Sequence, residues 1–414
     1  MKPRNKLIVA VIGGGASGLA AAVFAARTAK ISNISATINV YDGNSRVGKK
    51  ILVTGNGRCN FTNECIAPEN FHGDSLFAFD IYSRFTFSDA EEFFRSLGVY
   101  SKSDNAGRVY PMSFQATAIL DALRQECKTL GINEICDTKI SDIKRNTDGF
   151  TLNGNIYADR IILATGGKAA PVQGSDGSGF SLLRPFGIKC APLLPALTPL
   201  NCENFTKSLK GVRAQGKITL KSEGKVIAED TGEIQYTDYG LSGIPSMQVS
   251  RFAAEGLYEK KPVFAHVDSA PFFSAEQLKI ELFNLTKNNP DMPLEMLLSG
   301  IMPKKLGMFL LSECSLNLNL KIGKLNMSVI EKIVAAVKNK KYKISSVKGF
   351  SDAQVTAGGI IASEINPRTM ELKKIKGLHV CGEIVNVDGD CGGYNLQWAW
   401  SSAYVAGTSI IREN

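Results

Sequence analysis

The sequence predicts an α/β fold built on a Rossmann-like parallel sheet, and three observations carry that prediction. An apolar strand over residues 7–12 runs into a G-x-G-x-x-G pattern at positions 13–18, and a helix of small residues follows. A second strand over residues 36–41 ends at an acid, Asp42, and a third strand over residues 160–163 again runs into glycine. Short apolar strands that alternate with helices are typical of doubly wound parallel sheets.

The composition is that of a globular protein with two or three domains. The 414 residues are 44% hydrophobic and 21% charged, which excludes a disordered or fibrous chain. Nine cysteines without a C-x-x-C pair argue against a disulfide framework and a zinc ribbon, so we expect a reducing, cytoplasmic setting. A net charge of +9 fits nucleic acid, an anionic membrane face or anionic small molecules, and charge alone does not choose among them.

Each glycine of the first loop has a mechanical reason in a dinucleotide-binding unit. Gly13 permits the tight turn, Gly15 lets the backbone approach a pyrophosphate, and Gly18 lets the helix pack closely on the strand. The helix N-terminus then offers unpaired N–H groups to the phosphates. Asp42 lies 24 residues past Gly18, close to the spacing of an acid that binds a ribose hydroxyl. This unit alone does not distinguish FAD from NAD(P).

A secretory signal or a membrane span is the alternative interpretation of the same N-terminal stretch. Residues 7–26 are uncharged and follow a basic head at residues 1–6, as in a signal peptide. Four glycines between positions 13 and 18 would interrupt such an apolar helix, so we favour a strand, a turn and a helix. We therefore expect no membrane segment.

Further stretches bear on the cofactor. Residues 48–63 combine basic residues with many side-chain hydrogen-bonding groups, which suits a loop around a polyanion, and residues 140–157 predict a small hairpin layer. Residues 377–383 form another strand that ends in glycine and acid. The stretch 174–179 has no preceding strand, so no independent NAD(P) domain is evident. A helix that starts at residue 392 or 393 would point its positive end into the same cleft.

Several of these stretches match one known pattern. They are the glycine loop, residues 49–63, 107–111, 164–167, 239–243, 357–359 and 382–406. Together they resemble the BaiN-like family, also called YhiN or HI0933-like, of NAD(P)/FAD-dependent flavoprotein oxidoreductases. The resemblance spans nearly the whole chain in order, and TGNGRCNFTN and DGDCGGYNLQWAW are its most specific parts.

The resemblance implies a split Rossmann-like FAD-binding domain with an inserted β-rich plus helical domain. We expect the FAD-binding domain at residues 1–190 and 346–414, and the substrate-side insertion at 191–345, β-rich over 191–270 and helical over 271–345. The residues support the insertion independently. Residues 217–230 indicate two strands around a turn, and Ser274-x-x-Gln277 and Ser328-x-x-Glu331 are capping boxes that predict helix starts.

The resemblance also implies which residues contact FAD. The pyrophosphate is expected at the glycine loop, the ribose at the acid after the second strand, and the flavin at the start of the last helix. The implied residues are Gly13, Gly15, Ala16, Ser17 and Gly18 for the pyrophosphate, Asp42 for the ribose, Lys50, Gly57, Arg58, Cys59 and Asn60 beside the cofactor, Ile140 for adenine, Ala164, Thr165 and Gly166 in the cleft, Gly382, Glu383 and Asp388 for the ribityl chain, and Gly393, Tyr394, Asn395, Leu396 and Gln397 for the flavin.

No residue is assigned a catalytic role. The family pattern has a threonine-histidine before the Gly-Leu-Ser-Gly stretch, and this chain has Thr237-Asp238 there, which removes the obvious proton donor. Tyr239 and Tyr394 are either alternative proton donors or wall residues. Cys59 and Cys391 are either redox thiols or small packing residues, and we favour packing. The three histidines show no metal-ligand spacing, so we expect no metal.

The predicted function is FAD-dependent oxidoreduction, with hydride transfer through flavin N5 and NAD(P)H as the transient electron donor for reduction of an organic small molecule. The substrate, the choice between NADH and NADPH, and the oligomeric state stay open. One alternative is a flavin-dependent tRNA-modifying or RNA-binding protein, because two basic stripes could bind phosphates. A charge run is usually a solvated face and no aromatic platform is interleaved with these basic residues, so a nucleic acid partner is not favoured. The two basic stripes are Lys207, Lys210, Arg213, Lys217 and Lys221, and residues 338–343.

The other alternative is a protein that binds FAD without catalysis.

Overall fold

The computed structural model describes residues 6–412, and the chain divides into two compact units. The first unit comprises the described residues of Met1–Leu194 and Gln354–Asn414, and the second comprises Pro195–Ala353. The domain limits expected from the sequence, 190/191 and 345/346, stay predictions. Most of the basic head, residues 1–5, lies outside the described residues.

The described chain contains both strands and helices, and several runs of strands are separated by single helices. In chain order, the strands are β1 (Leu7–Ile12), β2 (Ala36–Tyr41), β3 (Thr62–Asn63), β4 (Phe71–Gly73), β5 (Ser101–Ser103), β6 (Arg108–Pro111), β7 (Asn133–Ile135), β8 (Ile143–Asn146), β9 (Gly149–Leu152), β10 (Ile156–Ala158), β11 (Arg160–Leu163), β12 (Cys190–Ala196), β13 (Leu200–Cys202), β14 (Arg213–Ser222), β15 (Lys225–Tyr236), β16 (Gly240–Ser242), β17 (Val263–Asp268), β18 (Lys340–Val347), β19 (Val355–Ile360), β20 (Leu378–Val380) and β21 (Val387–Gly389). The helices are α1 (Ala16–Ile31), α2 (Ser75–Tyr82), α3 (Phe87–Ser96), α4 (Ala116–Thr129), α5 (Ser178–Leu183), α6 (Ile244–Tyr258), α7 (Ala275–Asn288), α8 (Lys304–Glu313), α9 (Met327–Lys338) and α10 (Tyr394–Arg412).

A five-stranded parallel sheet forms the centre of the first unit. Its strands lie in the order β20-β11-β1-β2-β7, and each neighbouring pair is parallel. Residues 9–12 and 161–163 are buried, as expected for central strands that are covered on both faces. The strands predicted over residues 7–12, 36–41 and 160–163 are confirmed. The predicted hairpin layer is confirmed as the antiparallel sheet β10-β9-β8.

The first and last helices of the described chain pack against each other within this unit. α1 buries Ala20, Ala21 and Ala22, whose small side chains allow a partner helix to approach closely. Gly407 of α10 lies against this stretch, and a Cβ at Gly407 would lie 2.5 Å from the carbonyl oxygen of Ala21. Small residues on both helices therefore set a short distance between the two helix axes.

A closed barrel of antiparallel strands forms the core of the second unit. The strand order is β13-β16-β15-β14-β17-β18. The hairpin of β14 and β15 confirms the two strands predicted around residues 222–224. On β14 the buried residues Ile218 and Leu220 alternate with the outward-facing residues Lys217, Thr219 and Lys221.

The predicted capping boxes in the second unit have different outcomes. The one at α7 is confirmed, because the Ser274 side chain accepts the N–H of Gln277. The one at Ser328 is wrong, because α9 begins earlier and its N-cap is Asn326, which accepts the N–H of Val329. Asn and Ser cap helices about equally well, so two such residues in close succession leave the start of the helix ambiguous.

The N-terminal stretch is not a continuous apolar helix. β1 ends at Ile12, and α1 begins at Ala16 with Gly15 as its N-cap, so the glycines separate a strand from a helix as predicted. Across residues 6–412, no helix combines the length and the apolar character needed to cross a bilayer.

Candidate cofactor site

The carboxyl ends of four parallel strands meet at one edge of the central sheet. Ile12 of β1 lies opposite Leu163 of β11 and Tyr41 of β2, and Leu163 lies opposite Val380 of β20. The segments that follow these four residues are the glycine loop, Asp42, the 164–166 turn and the 381–383 turn. Predicted cofactor segments from distant parts of the sequence are therefore neighbours, at the edge where open α/β sheets bind ligands.

Close backbone contacts shape the glycine loop. Gly13 has a φ of +103°, and a Cβ there would lie 2.4 Å from the carbonyl oxygen of Ala164. A Cβ at Gly18 would lie 1.8 Å from the carbonyl oxygen of Gly13. Gly15 differs, because no protein atom lies within 4 Å of the place where its Cβ would be. The loop is thus packed on its protein side and open at Gly15.

The N-terminus of α1 begins at this opening. Gly15 is the N-cap, and no side chain caps the helix. The N–H groups of Ala16, Ser17 and Gly18 have no carbonyl one turn earlier in the helix, and the first intrahelical bond runs from Leu19 to Gly15. Free N–H groups at the positive end of a helix favour an anion such as a pyrophosphate.

Asp42 holds the glycine loop and retains acceptor capacity. Its Oδ2 accepts the N–H of Gly14 at 2.9 Å, and its Oδ1 accepts the backbone and side-chain N–H groups of Asn44 at 2.7 Å and 2.9 Å. A carboxylate has about four acceptor positions, so one remains for a ribose hydroxyl. The predicted adenine contact, Ile140, is buried two residues after Thr138, whose N–H donates to the Asp42 carbonyl.

Lys50 and Glu383 form an ion pair between two of the predicted segments. Lys50 Nζ lies 2.7 Å from Glu383 Oε2 and 3.2 Å from the carbonyl oxygen of Ala169. The second carboxylate oxygen, Oε1, accepts the N–H of Thr356 at 2.8 Å. The side chains are 26% and 19% exposed, so the pair is partly open to solvent or a ligand. The structure therefore brings these two predicted residues together.

The loop over residues 57–60 turns its side chains in different directions. Arg58 is exposed, whereas Cys59 is fully buried. Asn60 lies beside the start of α10, because its Oδ1 is 2.8 Å from the position of a Cβ on Gly393. The loop thus brings Asn60 to the start of α10 and leaves Arg58 at the surface.

Three buried polar atoms near this edge of the sheet have no hydrogen-bond partner among the described residues. They are Oδ1 of Asn60, Oγ1 of Thr165 and Oγ of Ser175. Ser175 adjoins the turn after β11, since a Cβ on Gly166 would lie 3.0 Å from its Oγ. Buried polar groups are nearly always hydrogen-bonded, so each of these atoms indicates a bound ligand or an ordered water as its partner. These residues therefore fit a large polar cofactor.

Hydrogen bonds tie the end of β20 to α10. Gly382 donates its N–H to Ser402 Oγ at 2.9 Å, and its carbonyl oxygen accepts Trp398 Nε1 at 3.0 Å. The Asn395 side chain accepts the N–H of Gly389 at 2.8 Å and donates to the Gly389 carbonyl at 2.7 Å. The side chain of Asn395 thus shapes the loop before α10, and its predicted contact with flavin stays a prediction.

α10 begins at a position where the backbone requires glycine. Gly393 has a φ of +99°, and a Cβ there would lie 2.3 Å from the carbonyl oxygen of Thr62. Tyr394 and Leu396 follow in the first turn and are partly buried. Burial raises the pKa of Tyr394, so its hydroxyl remains protonated at neutral pH. The helix predicted to start at residue 392 or 393 is present and starts at Tyr394, and the flavin contacts of these residues stay predictions.

The side chain of Gln397 is used inside the protein. It is fully buried, its Oε1 accepts the hydroxyl of Thr62 at 2.6 Å, and its Nε2 donates to the Phe85 carbonyl at 2.9 Å and to Ser401 Oγ at 3.0 Å. Gln397 therefore fixes the strand that carries Thr62 against α10. Its predicted contact with flavin stays a prediction.

Sequence reasoning missed some residues of this region. His72 of β4 lies opposite Asp388, which is buried in β21, and His72 Nε2 is 2.9 Å from Asp390 Oδ1. No local pattern announces this pairing, because β4 and β21 are far apart in the sequence. Ser175 was missed because its glycine-rich stretch fails the test for a second dinucleotide loop, although its Gly-Ser-Asp-Gly run was a usable signal of a polar turn.

The cysteines of the first unit differ in expected reactivity. Burial raises the pKa of Cys59 and of Cys381 to about 12, whereas Cys65 is exposed. Because the thiolate is the reactive form, brief iodoacetamide treatment of the folded protein near neutral pH should label Cys65 and spare Cys59 and Cys381. Peptide mass spectrometry measures the labelling, and full labelling in urea is the control. Labelling of Cys59 as fast as Cys65 would contradict its packing role and support a redox thiol.

Comparison with known proteins identifies the family. The sequence profile of the HI0933-like protein Rossmann domain matches residues 7–409. The 3-dehydro-bile acid delta(4,6)-reductase of Clostridium scindens is 40% identical over 96% of this chain and 98% of its own length. Ribosomal RNA dihydrouridine synthases are more distant: that of Escherichia coli K12 is 26% identical over 97% of each chain, and that of Haemophilus influenzae is 27% identical over 97% of this chain and 98% of its own.

These matches confirm the resemblance found in the sequence and the predicted class, a flavoprotein oxidoreductase with a Rossmann fold. They run through both units and therefore include the barrel as well as the aligned strand ends. The chain belongs to the HI0933-like family.

Proposed function

We propose that this protein is an FAD-dependent reductase that uses NAD(P)H to reduce a carbon–carbon double bond conjugated to a carbonyl group. The observation that carries the cofactor assignment is the alignment of four strand ends around the uncapped start of α1. The proposed reaction draws on the names of the relatives, and both the substrate and the electron donor are proposals.

The residues at the strand ends divide the work of holding FAD. The N–H groups of Ala16, Ser17 and Gly18 would bind the pyrophosphate, and Asp42 would accept a ribose hydroxyl. The unpartnered buried oxygens of Thr165 and Asn60 would gain hydrogen bonds to the cofactor.

Bound FAD would supply two-electron hydride chemistry, which no side chain can provide. The chain's own contribution is orientation and electrostatics. The positive end of α10, at Tyr394, would stabilise negative charge in the site by about 1 kcal/mol, the usual value for a helix terminus. The protonated hydroxyl of Tyr394 keeps it a candidate proton donor, whereas Asp238 is exposed and hydrogen-bonded to Lys210 at 2.8 Å.

The names of the relatives point to one type of reaction. A 3-dehydro-bile acid with delta(4,6) unsaturation carries its double bonds in conjugation with a ketone, and uridine carries the double bond reduced in dihydrouridine next to a carbonyl. Hydride addition to such a bond places negative charge on the conjugated carbonyl oxygen, and a proton then reaches the neighbouring carbon. We take a small-molecule enone as the first candidate substrate because the reductase relative is the more similar, at 40% identity against 26%.

A uridine in ribosomal RNA is the second candidate substrate. The net charge of +9 favours it, and so does the full-length match to two ribosomal RNA dihydrouridine synthases. The chemistry proposed at the flavin is the same for both candidates, and only the recognition of the substrate differs.

Anaerobic reduction of the purified protein tests the proposal. We expect a yellow protein whose flavin absorption is bleached by NADPH or NADH, and is restored by either a conjugated 3-oxo steroid or unmodified ribosomal RNA. Mass spectrometry of the product should show the gain of two hydrogens. A protein that does not retain FAD would refute the cofactor assignment. Bleaching that neither substrate reverses would refute the proposed reaction, and no bleaching by either nucleotide would favour FAD binding without NAD(P)H-linked catalysis.

A further inference from the structure

The barrel brings two basic stretches of the sequence onto one surface. β14 and β18, which carry the two stripes, lie on either side of β17. Lys221 pairs with Phe264, and Phe264 pairs with Lys343 on the far side. One step along the strands, His266 lies between Thr219 and Lys341. Residues that are far apart in the sequence therefore form two adjacent cross-strand rows.

The alternation of burial shows that both rows point outward. On β17 the buried residues are Val263, Ala265 and Val267, and Phe264 and His266 alternate with them. On β18 Lys341 and Lys343 are exposed and flank the buried Tyr342. Successive side chains of a strand point to opposite faces of a sheet, so the lysines and the two rings share the outer face.

An aromatic ring lies between the lysines, contrary to the expectation from the sequence. Lys341 Nζ is 3.9 Å from the centre of the Phe264 ring, within cation–π distance. Phe264 is only partly buried, so part of its ring is open to solvent. His266 is also partly exposed and is held by a 2.7 Å contact between its Nδ1 and Asn339 Oδ1. The surface thus combines cations with flat rings.

Some of the basic residues are neutralised, and others are not. Lys217 pairs with Glu229 at 2.8 Å, and Lys343 pairs with Glu203 at 2.9 Å. Lys338 and Lys340 are bound to Asp268 and Glu313 and have structural roles. Among the described residues, no carboxylate lies within 4 Å of the ammonium group of Lys221 or Lys341. These two cations flank β17 and are available for an anion.

We infer that this outer surface, formed by Lys221, Phe264, His266, Lys341 and Lys343 and named the barrel face, binds single-stranded RNA. Lys221 and Lys341 would bind phosphates, and Phe264 would stack on a base, the combination that single-stranded nucleic acids require. We choose RNA because the two unpaired cations flank a partly exposed ring on which a base can stack. The inference rests on the second candidate substrate of the proposed function, and RNA binding is measurable without turnover.

Charge reversal with a matched control tests the barrel face. In the FAD-loaded protein, the double substitution Lys221→Glu and Lys341→Glu is compared with Lys305→Glu and Lys324→Glu, two exposed lysines elsewhere in the same unit. Fluorescence anisotropy with a labelled, unstructured single-stranded RNA gives the affinity at several salt concentrations. The first pair should weaken binding at least about tenfold and lower the salt slope by about two, whereas the control pair should change the affinity less than about twofold.

The ring is tested separately. Phe264→Leu should weaken RNA binding about tenfold at constant salt slope, and Phe264→Tyr should preserve it, because base stacking depends on a flat ring. An unchanged melting temperature and FAD content show that each variant is folded. An equal loss of RNA affinity in the two double lysine variants would overturn the inference. Binding of the protein to phosphatidylserine vesicles but not to RNA would also overturn it. Bleaching by NAD(P)H should be the same in all variants, so failure of RNA binding is distinguishable from failure of the proposed reductase.

Discussion

Replacing Gly15 with valine should abolish FAD retention while the protein remains folded. Gly15 has φ −81° and ψ −166°, a conformation that valine adopts readily, and no protein atom lies within 4 Å of its Cβ position. The new side chain would therefore enter the opening where the pyrophosphate is expected, at the start of α1. We expect FAD affinity to fall at least about 100-fold, equivalent to about 2.8 kcal/mol.

The control for this substitution is a glycine with the same freedom at another place. Gly300 also has no atom within 4 Å of its Cβ position, and it lies in the second unit. Gly300→Val should leave the FAD content at the wild-type level, measured from the flavin absorption of the purified protein. A Gly15→Val protein that retains stoichiometric FAD would show that the pyrophosphate lies elsewhere.

Replacing Gln397 with leucine should strongly destabilise the first unit. The buried amide makes three hydrogen bonds, and its loss leaves the Thr62 hydroxyl without its acceptor. We expect the free energy of unfolding to fall by about 3 kcal/mol, from the usual cost of unsatisfied buried groups. For a unit of this size, that lowers the melting temperature by roughly 6–12 °C.

Gln125→Leu is the matched control, because Gln125 is exposed on α4 of the same unit. Its effect should stay within about 0.5 kcal/mol, as for most surface substitutions. Thermal unfolding followed by circular dichroism measures both variants. If Gln397→Leu changed the flavin spectrum with no loss of stability, its side chain would contact the cofactor as the family motif implies.

Local sequence patterns predicted the strands around the site. The pairings between strands that are far apart in the sequence could not be predicted in this way. β1, β2 and β11 are visible in the sequence because an apolar run before glycine or acid is a local signal. That the 164–166 and 381–383 turns lie next to each other also follows from the sequence, once the strands before them are taken as parallel neighbours. Nothing local reveals that β4 pairs with β21 or that β13 closes the barrel against β18. Such pairings depend on register between residues far apart in the chain.

Side-chain direction was harder to predict than position. Asn395 and Gln397 were both expected at the flavin, and both lie in the first turn of α10 as the motif implies. Their amides, however, bond to Gly389 and to Thr62 and Phe85 within the protein. A motif shows which residue types recur in a family. It does not show whether those residues contact a ligand or stabilise the fold. The aromatic ring of the barrel face escaped notice for a related reason, since Phe264 belongs to a strand outside both basic stripes.

The contact between α1 and α10 determines which unit can fold first during synthesis. The groove that receives Gly407 is formed near the beginning of the chain, yet the helix that fills it emerges from the ribosome only after the entire barrel unit. Until then the alanine-rich surface of α1 and one edge of the central sheet, where β20 will add, stay uncovered. The barrel unit, which is continuous in sequence, can fold first. Assembly of the nucleotide-binding half therefore follows synthesis of the barrel unit, and chaperones have a window in which to act on it.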